Sequence, residues 1–204
     1  MPGNVLVLQQ AAWLAAYLNR DEEAISLAQR AVEQDPLSAS AYFVLQDVMW
    51  AAGRSEEAVA AAKMSLQLAP GKAMSHMAVS RGLLALGRID EALDEAMLET
   101  HEVSRLTMLA IIHHGAGRRA DSDQALLKLA SEHADLGAYQ VAQVHAMRAE
   151  NDLAFEWLER ARTQRDPGIV LAKGDLCLRP LHNDPRWDPF LRKIGRQTES
   201  TNQL

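Results

Sequence analysis

Gly53-Arg54-Ser55-Glu56-Glu57-Ala58 recurs at a fixed interval along the chain, and this recurrence points to one kind of architecture. Gly87-Arg88-Ile89-Asp90-Glu91-Ala92 follows at an interval of about 34 residues, and Asn19-Arg20-Asp21-Glu22-Glu23-Ala24 precedes the first stretch by the same interval. Two prolines keep this spacing, because Pro36 precedes Pro70 by the same number of positions. A constant period of this length indicates an array of repeated units that stack on their neighbours.

The composition is that of a folded chain without a charge pattern suited to nucleic acid. Of its 204 residues, 48% are apolar and 24% are charged, which argues against a disordered protein. The net charge of -6 leaves no basic surface for phosphate backbones, so we expect no nucleic-acid partner. Cys177 is the single cysteine, which excludes an internal disulfide and favours a reducing compartment. We therefore expect a cytoplasmic protein.

The apolar start of the chain, residues 5–18, is interpreted as a first helix rather than a targeting signal. It lacks a basic region before the apolar run, and Gln9 and Gln10 interrupt it. No stretch of the sequence reaches the roughly 18 to 20 continuous apolar residues that a transmembrane helix needs. We expect no membrane partner.

Each period of the sequence reads as two helices joined by a short turn. Asp21 and Ser38 are predicted to cap helices, Gly53 to form a turn and Pro36 to end a helix. Small residues recur at three- and four-residue steps, which predicts one closely packed face on each second helix. Five such pairs are predicted, at about residues 5–37, 38–71, 72–102, 103–134 and 135–167.

The sequence after the fifth pair predicts a capping segment, because an array needs a cover over its last apolar face. We assign residues 168–196 to this segment and residues 197–204 to a disordered tail. Pro189 would remove a hydrogen bond from a helix begun at Asp184, so a helix with Asp188 as its cap is the alternative. The amphipathic stripe of this final helix is Trp187, Phe190, Leu191 and Ile194.

These repeated residues resemble the tetratricopeptide repeat family, whose unit is a helix-turn-helix of about 34 residues with small residues in each helix. The resemblance covers about residues 5–165. It implies an all-α fold, an α-solenoid of antiparallel helix pairs in a right-handed superhelix, with about five pairs and a C-terminal capping helix. The departures are Asn19 in place of the turn glycine, no closing proline in the third pair, and short fourth and fifth periods.

A narrower resemblance lies near the end of the chain. Ala154-Phe155-Glu156-Trp157-Leu158-Glu159-Arg160-Ala161, Leu181-His182-Asn183-Asp184-Pro185-Arg186-Trp187 and Phe190-Leu191 are similar to the closing segment of repeat regions in large bacterial signalling proteins. Those proteins place such arrays after nucleotide-cyclase, winged-helix or protein-kinase domains. The resemblance implies that this chain is the interaction part of something longer.

The family resemblance also implies where a ligand would bind. First helices of successive tetratricopeptide pairs line the concave face of the superhelix, and residues on their outward stripe meet the ligand. That stripe comprises Gln9, Trp13, Tyr17, Phe43, Asp47, Trp50, Met77, Arg81, Leu84, Thr107, Ile111, His114, Tyr139, Gln143 and Met147.

Two interpretations of this stripe stay open. Exposed aromatic and apolar residues usually mark a contact site, which favours a largely apolar protein or peptide ligand. The alternative is that the stripe packs against neighbouring repeats or against the chain's own C-terminal tail. A clamp for a C-terminal carboxylate is disfavoured, because Arg81 is the stripe's single permanent cation and Asp47 is placed to neutralise it.

The sequence offers little support for metal or catalytic chemistry. His113 and His114 are adjacent on a helix and point about 100° apart, so they are poor ligands for one ion. Gly115-Ala116-Gly117-Arg118-Arg119 lacks the lysine and hydroxyl residue of a phosphate loop. We expect no cofactor, no metal and no catalytic residues.

Two functions are consistent with these observations. The first is a non-enzymatic scaffold that binds a peptide or protein segment in the concave groove. The second is a regulatory or oligomerisation module of a larger bacterial signalling protein, either a nucleotide cyclase or a transcriptional regulator. The second predicts a homodimer in the absence of any ligand.

Overall fold

The computed structural model describes residues 4–18 and 20–195, and these form an all-α solenoid of antiparallel helix pairs, as predicted. This part of the chain contains no strand. The helices of the five pairs are α1 Val5–Tyr17 and α2 Asp21–Gln34; α3 Ala39–Ala51 and α4 Ser55–Leu68; α5 Ser75–Ala85 and α6 Ile89–Leu98; α7 Glu102–Gly115 and α8 Arg119–Glu132; α9 Ala138–Met147 and α10 Asn151–Gln164.

Helix starts follow two different rules. Ser38 caps α3 as predicted, because its hydroxyl accepts from the amide of Ala41 at 3.2 Å. Asp21 is not the cap of α2, which corrects the prediction: Arg20 holds that position without a side-chain hydrogen bond. Asp21 instead opens an acidic first turn, where the amide dipoles favour negative charge.

The turns inside the pairs need a left-handed residue. Gly53, Gly87 and Gly117 have φ between 72° and 73°, a region in which a side chain is strained. The fifth pair has no glycine at this point, and Ala149 takes φ 58° there. The sequence predicts the turn of the fifth pair around Glu150-Asn151, and the structure has its left-handed residue one position earlier, at Ala149.

The inner side of each second helix is closely packed, as its spacing predicted. Small residues at these positions let the two helices of a pair approach, which increases the number of favourable contacts between them. The buried residues on these inner sides are mostly alanine and serine, with leucine at three positions. They are Ala24, Ala28, Ala31, Ala58, Ala62, Ser65, Ala92, Ala96, Ser122, Leu126, Leu129, Ala154, Leu158 and Ala161.

The first helices lie side by side, since α1 packs on α3, α3 on α5, α5 on α7 and α7 on α9. We call the surface they form the inner face. The second helices form the other layer. This arrangement places the residues of the predicted stripe in one surface.

Residues 167–181, which we call the inner segment, run along the inner face. They form two consecutive 3₁₀ helices, Pro167–Gly174 and Leu176–Leu181. The second of these packs on α9, and the first packs on α9, α10 and α1. The prediction placed this part of the chain over the last pair alone, whereas the structure carries it across to the first pair.

The chain ends its described part in α11, Trp187–Lys193. Pro189 is its third residue, where an intrahelical donor is not yet needed. The helix therefore begins neither at Asp184 nor with Asp188 as its cap. The predicted stripe is confirmed as a core contact, because Trp187, Phe190 and Leu191 are buried against α10 and Ile194 packs on the same cluster.

Two further expectations concern the ends and the membrane. The tail predicted for 197–204 lies outside the described residues. Within 4–18 and 20–195, no helix has the length and apolar character required to cross a bilayer.

Candidate functional site

A cavity of about 350 Å³ opens on the inner face. Its walls come from the ends of α3, α5, α7 and α9, and the inner segment closes one side. Most of its lining is apolar, with one guanidinium and one imidazole among the side chains. The lining residues are Trp50, Arg81, Leu84, Ala85, Met108, Ile111, His114, Gly115, Met147, Leu176 and Cys177.

The stripe predicted from the sequence divides between this cavity and other contacts. The structure brings together Trp50, Arg81, Leu84, Ile111, His114 and Met147 at the cavity. Ile111 lies at the bottom of the cavity, because only 3% of this residue is exposed. The other predicted residues do not line the cavity.

Arg81 is the polar centre of the cavity wall, and its charge is already paired. Its Nη2 donates to the carboxylate of Asp47 at 3.0 Å and to the amide oxygen of Gln46 at 3.3 Å. Its guanidinium lies over the ring of Trp50, 4.6 Å from the ring centroid. The predicted neutralisation of Arg81 by Asp47 is confirmed, so the cavity does not present an unpaired cation.

At α9 the inner face binds the chain's own inner segment. The Tyr139 hydroxyl donates to the Asp175 carboxylate at 2.7 Å, and Gln143 Nε2 donates to the same oxygen at 2.5 Å. Tyr139 does not face an open groove, because the ring is 1% exposed beneath this segment, and at this residue the alternative interpretation holds, in which the stripe packs against the chain's own C-terminal part. Burial, followed by the charge of Asp175, raises the pKa of Tyr139 well above its usual value, which keeps the phenol protonated as the donor.

Other residues of the stripe make contacts within the array. Gln9 and Thr107 are buried, and their side chains bond to Ser40 Oγ and to the Val103 carbonyl. Trp13 and Met77 are half-buried against the apolar clusters of the first and third pairs.

Phe43 and Tyr17 complete the stripe at the first two pairs. Phe43 lies beneath Lys72, whose Nζ is 4.4 Å from the ring centroid. Tyr17 is half-buried. Neither residue reaches the cavity.

Sequence reasoning missed the part of the wall that the inner segment supplies. Leu176 and Cys177 line the cavity, and Leu178 and Leu181, a few residues further on, are fully buried. The concentration of apolar residues between Leu176 and Leu181 is a signal that a packed segment, rather than a loop, follows the fifth pair. Met108 was missed because it directly follows Thr107 on α7 and therefore lies outside the predicted stripe.

The Cys177 thiol has no nucleophilic character in this setting. Burial is the main effect that raises its pKa well above the usual value, and the neighbouring Asp175 carboxylate adds to it. The thiol therefore stays neutral near pH 7. It contributes an apolar surface to the cavity.

The histidines are distributed among separate polar contacts. His76 bonds to Glu95 at 2.8 Å and His145 bonds to Glu150 at 2.7 Å, and His145 is buried. Among residues 4–18 and 20–195, no three histidine, cysteine or acidic side chains are grouped so that they could hold a metal ion.

A second hollow, of about 420 Å³, lies between α10 and α11 at the end of the array. Its polar groups bond to one another. Arg186 lies 4.4 Å above the ring of Phe155 and donates to Asp152 at 2.8 Å, and Lys193 pairs with Glu159. These satisfied contacts make it part of the capping interface.

Comparison with known proteins was made at three levels. No protein-family model matches the chain, and no curated protein matches it. Several solved structures do match. The chain has a tetratricopeptide repeat fold.

The matching structures agree on this fold over most of their lengths. TTC0263 from Thermus thermophilus has a TM-score of 0.63 at 17% identity, covering 86% of this chain and 95% of its own. PilF from Pseudomonas aeruginosa has a TM-score of 0.59 at 15% identity, covering 94% and 96%. YrrB, described as a TPR protein with an unusual peptide-binding site, has a TM-score of 0.52 at 18% identity, covering 82% and 90%. At these identities the similarity establishes the fold alone.

Proposed function

We propose that this chain is a non-enzymatic interaction scaffold that holds a protein or peptide segment by one apolar side chain inserted in the inner-face cavity. The observation that supports the proposal is the cavity itself, which the first helices of four successive pairs build together with the inner segment. Tetratricopeptide arrays such as YrrB provide a precedent for peptide binding on this fold. The volume of about 350 Å³ lies in the range of ligand pockets and accommodates a large side chain.

The chemistry of the wall defines the ligand class. Trp50, Leu84 and Met147 offer aromatic and flexible apolar surface, which favours an aromatic or branched aliphatic side chain. Arg81 is paired with Asp47, so an acidic group of the ligand gains little from it. We therefore expect an apolar anchor rather than a terminal carboxylate.

The inner segment restricts the ligand to one part of the inner face. Leu178 and Leu181 are fully buried, and exposing either would cost about 1.5–3 kcal/mol. Displacing the segment from α9 is therefore unfavourable. The ligand meets the cavity with Leu176 and Cys177 as a fixed wall.

The same lining supports the proposal of a non-enzymatic role. The Cys177 thiol is protonated, and Arg81 bonds to the chain's own groups. No described lining residue pairs a nucleophile with a base. Location in the cytoplasm and membership of a larger signalling protein stay predictions.

Filling the mouth of the cavity tests the proposal. Gly115 lines the cavity, and a Cβ at this position would meet no atom within 4 Å, so the backbone admits Gly115→Leu, which adds an apolar side chain at the cavity. Gly71 lies in the turn between α4 and α5 with the same open surroundings, and Gly71→Leu is the matched control. Peptides selected on the wild-type chain from a random twelve-residue display library serve as the probe.

The expected result is a loss of affinity for one variant alone. By calorimetric titration, selected peptides should bind Gly115→Leu at least about tenfold more weakly, a loss of roughly 1.4 kcal/mol, and Gly71→Leu like the wild type. Equal binding to both variants would place the site elsewhere. A library that yields no binder at all would also reject the proposal.

A further inference from the structure

Two polar side chains of the inner-face cavity keep hydrogen-bonding capacity that the described residues do not use. Arg81 bonds to Asp47 and Gln46 through Nη2 alone. Its Nε is buried without a partner, whereas its Nη1 is not buried and donates to no group within residues 4–18 and 20–195. The second side chain is His114, which lines the same cavity from α7, is half-buried and forms no side-chain hydrogen bond with the described residues.

These two groups restrict what can fill the cavity without loss. A purely apolar side chain would displace water from Arg81 Nη1 and supply no acceptor in its place, which is unfavourable for a covered donor. A carboxylate would supply the acceptor, but Asp47 already neutralises the guanidinium. The matching ligand group is therefore a neutral acceptor carried on an apolar body.

A tyrosine side chain has this combination. Its hydroxyl accepts one hydrogen bond and donates another, and a neutral imidazole such as that of His114 can accept from it. Its ring is apolar and suits the surface that Trp50, Leu84 and Met147 provide. Tryptophan carries a donor alone, phenylalanine carries neither group, and asparagine and glutamine lack the ring.

We propose that the anchor side chain of the ligand is a tyrosine, whose hydroxyl accepts from Arg81 Nη1 and donates to His114. The inference rests on the proposed function, and it narrows the anchor from aromatic or branched aliphatic side chains to one residue type. Arg81 and His114 then determine specificity, while the apolar wall supplies the contact area.

Peptides with one changed atom test the hydroxyl. The probes are the library peptides whose binding Gly115→Leu weakens, because these occupy the cavity. Alanine scanning of each peptide identifies its anchor, which we expect to be tyrosine. In calorimetric titrations, the wild-type chain should bind the tyrosine peptide about tenfold more tightly than the same peptide with phenylalanine at the anchor.

Two variants test which side chains read the hydroxyl. Arg81→Met removes the donor and His114→Leu removes the imidazole, and each should reduce the preference for tyrosine to about threefold or less. Arg105→Met is the matched control, because Arg105 lies on α7 outside the cavity and should keep the tenfold preference. Circular dichroism checks folding, and His114→Leu carries the test if the loss of the Asp47 pair unfolds Arg81→Met.

The outcomes separate this inference from the proposed function. Cavity-binding peptides with an anchor other than tyrosine, or with equal affinity for tyrosine and phenylalanine, would overturn the inference and leave the scaffold proposal standing. A tenfold preference that His114→Leu and a folded Arg81→Met both retain would also overturn it. A library without any peptide that Gly115→Leu weakens would reject the proposed function and this inference with it.

Discussion

Two polar side chains of the inner face, Arg81 and Asp175, bond mainly to the chain's own groups, although Arg81 Nε is buried without a hydrogen-bond partner. Arg81 combines an ion pair with Asp47 and stacking on Trp50. Asp175 accepts hydrogen bonds from Tyr139, from Gln143 and from the amide of Cys177 at 2.9 Å. Because a buried donor without a partner costs about 1–3 kcal/mol, these contacts stabilise the arrangement of the inner segment. They leave mainly apolar surface as the free part of the cavity.

Asp184 should contribute to the loss of stability in acid. Hydrogen bonds from the Arg186 side chain and amide lower the pKa of Asp184 to about 2. A carboxylate with a lowered pKa stabilises the fold above its unfolded value, near 4, and this contribution disappears as the pH falls toward 2. We expect Asp184→Asn to reduce the unfolding free energy at pH 7 and to flatten its decline between pH 4 and 2.

Urea unfolding at several pH values measures this effect, and Asp188→Asn is the control. It makes the same charge change within α11 at an exposed residue. If the two variants had parallel pH profiles, the role assigned to Asp184 would be incorrect.

Glutamate side chains stabilise helix starts in this array in two ways, either from within the first turn of the same helix or from a different part of the pair. Second helices begin beside an arginine that pairs with a glutamate three residues later, as Arg54 does with Glu57 at 2.8 Å and Arg88 with Glu91 at 2.6 Å. Helix α5, the first helix of the third pair, is instead capped by a residue that follows α6, the second helix of the same pair. Glu99 follows α6 and accepts from the amides of Met74, Met77 and His101.

Glu99 should therefore matter more than its place between two helices suggests. Glu99 is 2% exposed, so Glu99→Ala leaves three partly buried amides without their acceptor. We expect a loss of about 3 kcal/mol in unfolding free energy, and a smaller loss for Glu99→Gln, which keeps one acceptor oxygen. Guanidinium unfolding followed by circular dichroism measures both.

The control for this prediction is Glu132→Ala. Glu132 lies at the end of α8 with its side chain 57% exposed, and its contact with Lys128 is 4.0 Å long. A surface pair of this kind contributes less than about 1 kcal/mol. Equal losses for Glu99→Ala and Glu132→Ala would show that the capping role is absent.

Across the whole molecule, the inner segment joins pairs that a plain solenoid keeps apart. In a stack, each pair contacts its neighbours, and stability is close to a sum of local terms. Here the first 3₁₀ helix of the inner segment reaches α1 while the second packs on α9. The two ends of the array are therefore coupled through 167–181.

Leu178→Ala tests this coupling. Leu178 is fully buried in the C-terminal cluster, so the change should cost about 2–5 kcal/mol. Two versions of the chain, each keeping one tryptophan, at position 13 or at position 187, report urea unfolding at the two ends of the array by fluorescence. We expect the same urea midpoint from both reporters, and we expect Leu178→Ala to lower both midpoints by the same amount. Leu171→Ala, in the same segment but 41% exposed, should change the free energy by less than about 0.5 kcal/mol.

A shift confined to the Trp187 signal would contradict the coupling. In that case the first pair would be independent of the inner segment. The contact between the segment and α1 would then have no energetic consequence.

The repeat period determined the helix pairs, their turns and their closely packed faces, because these depend on local spacing and on small residues at fixed steps. The resemblance to the tetratricopeptide family added the inner-face stripe, and the stripe in turn indicated the pairing of Arg81 with Asp47. These features lie within one repeat or between adjacent repeats. Sequence periodicity is sufficient to place them.

Only the tertiary structure decided which part of the stripe is free. Asp175 lies well beyond Gln143 in the sequence, in a segment that breaks the period, and no spacing rule predicts that it returns to α9. The same non-local contact buries Tyr139 and gives the cavity its wall of Leu176 and Cys177. Local patterns specify a helix and its buried face, whereas the path of a non-repeating segment depends on the surface that the assembled array leaves uncovered.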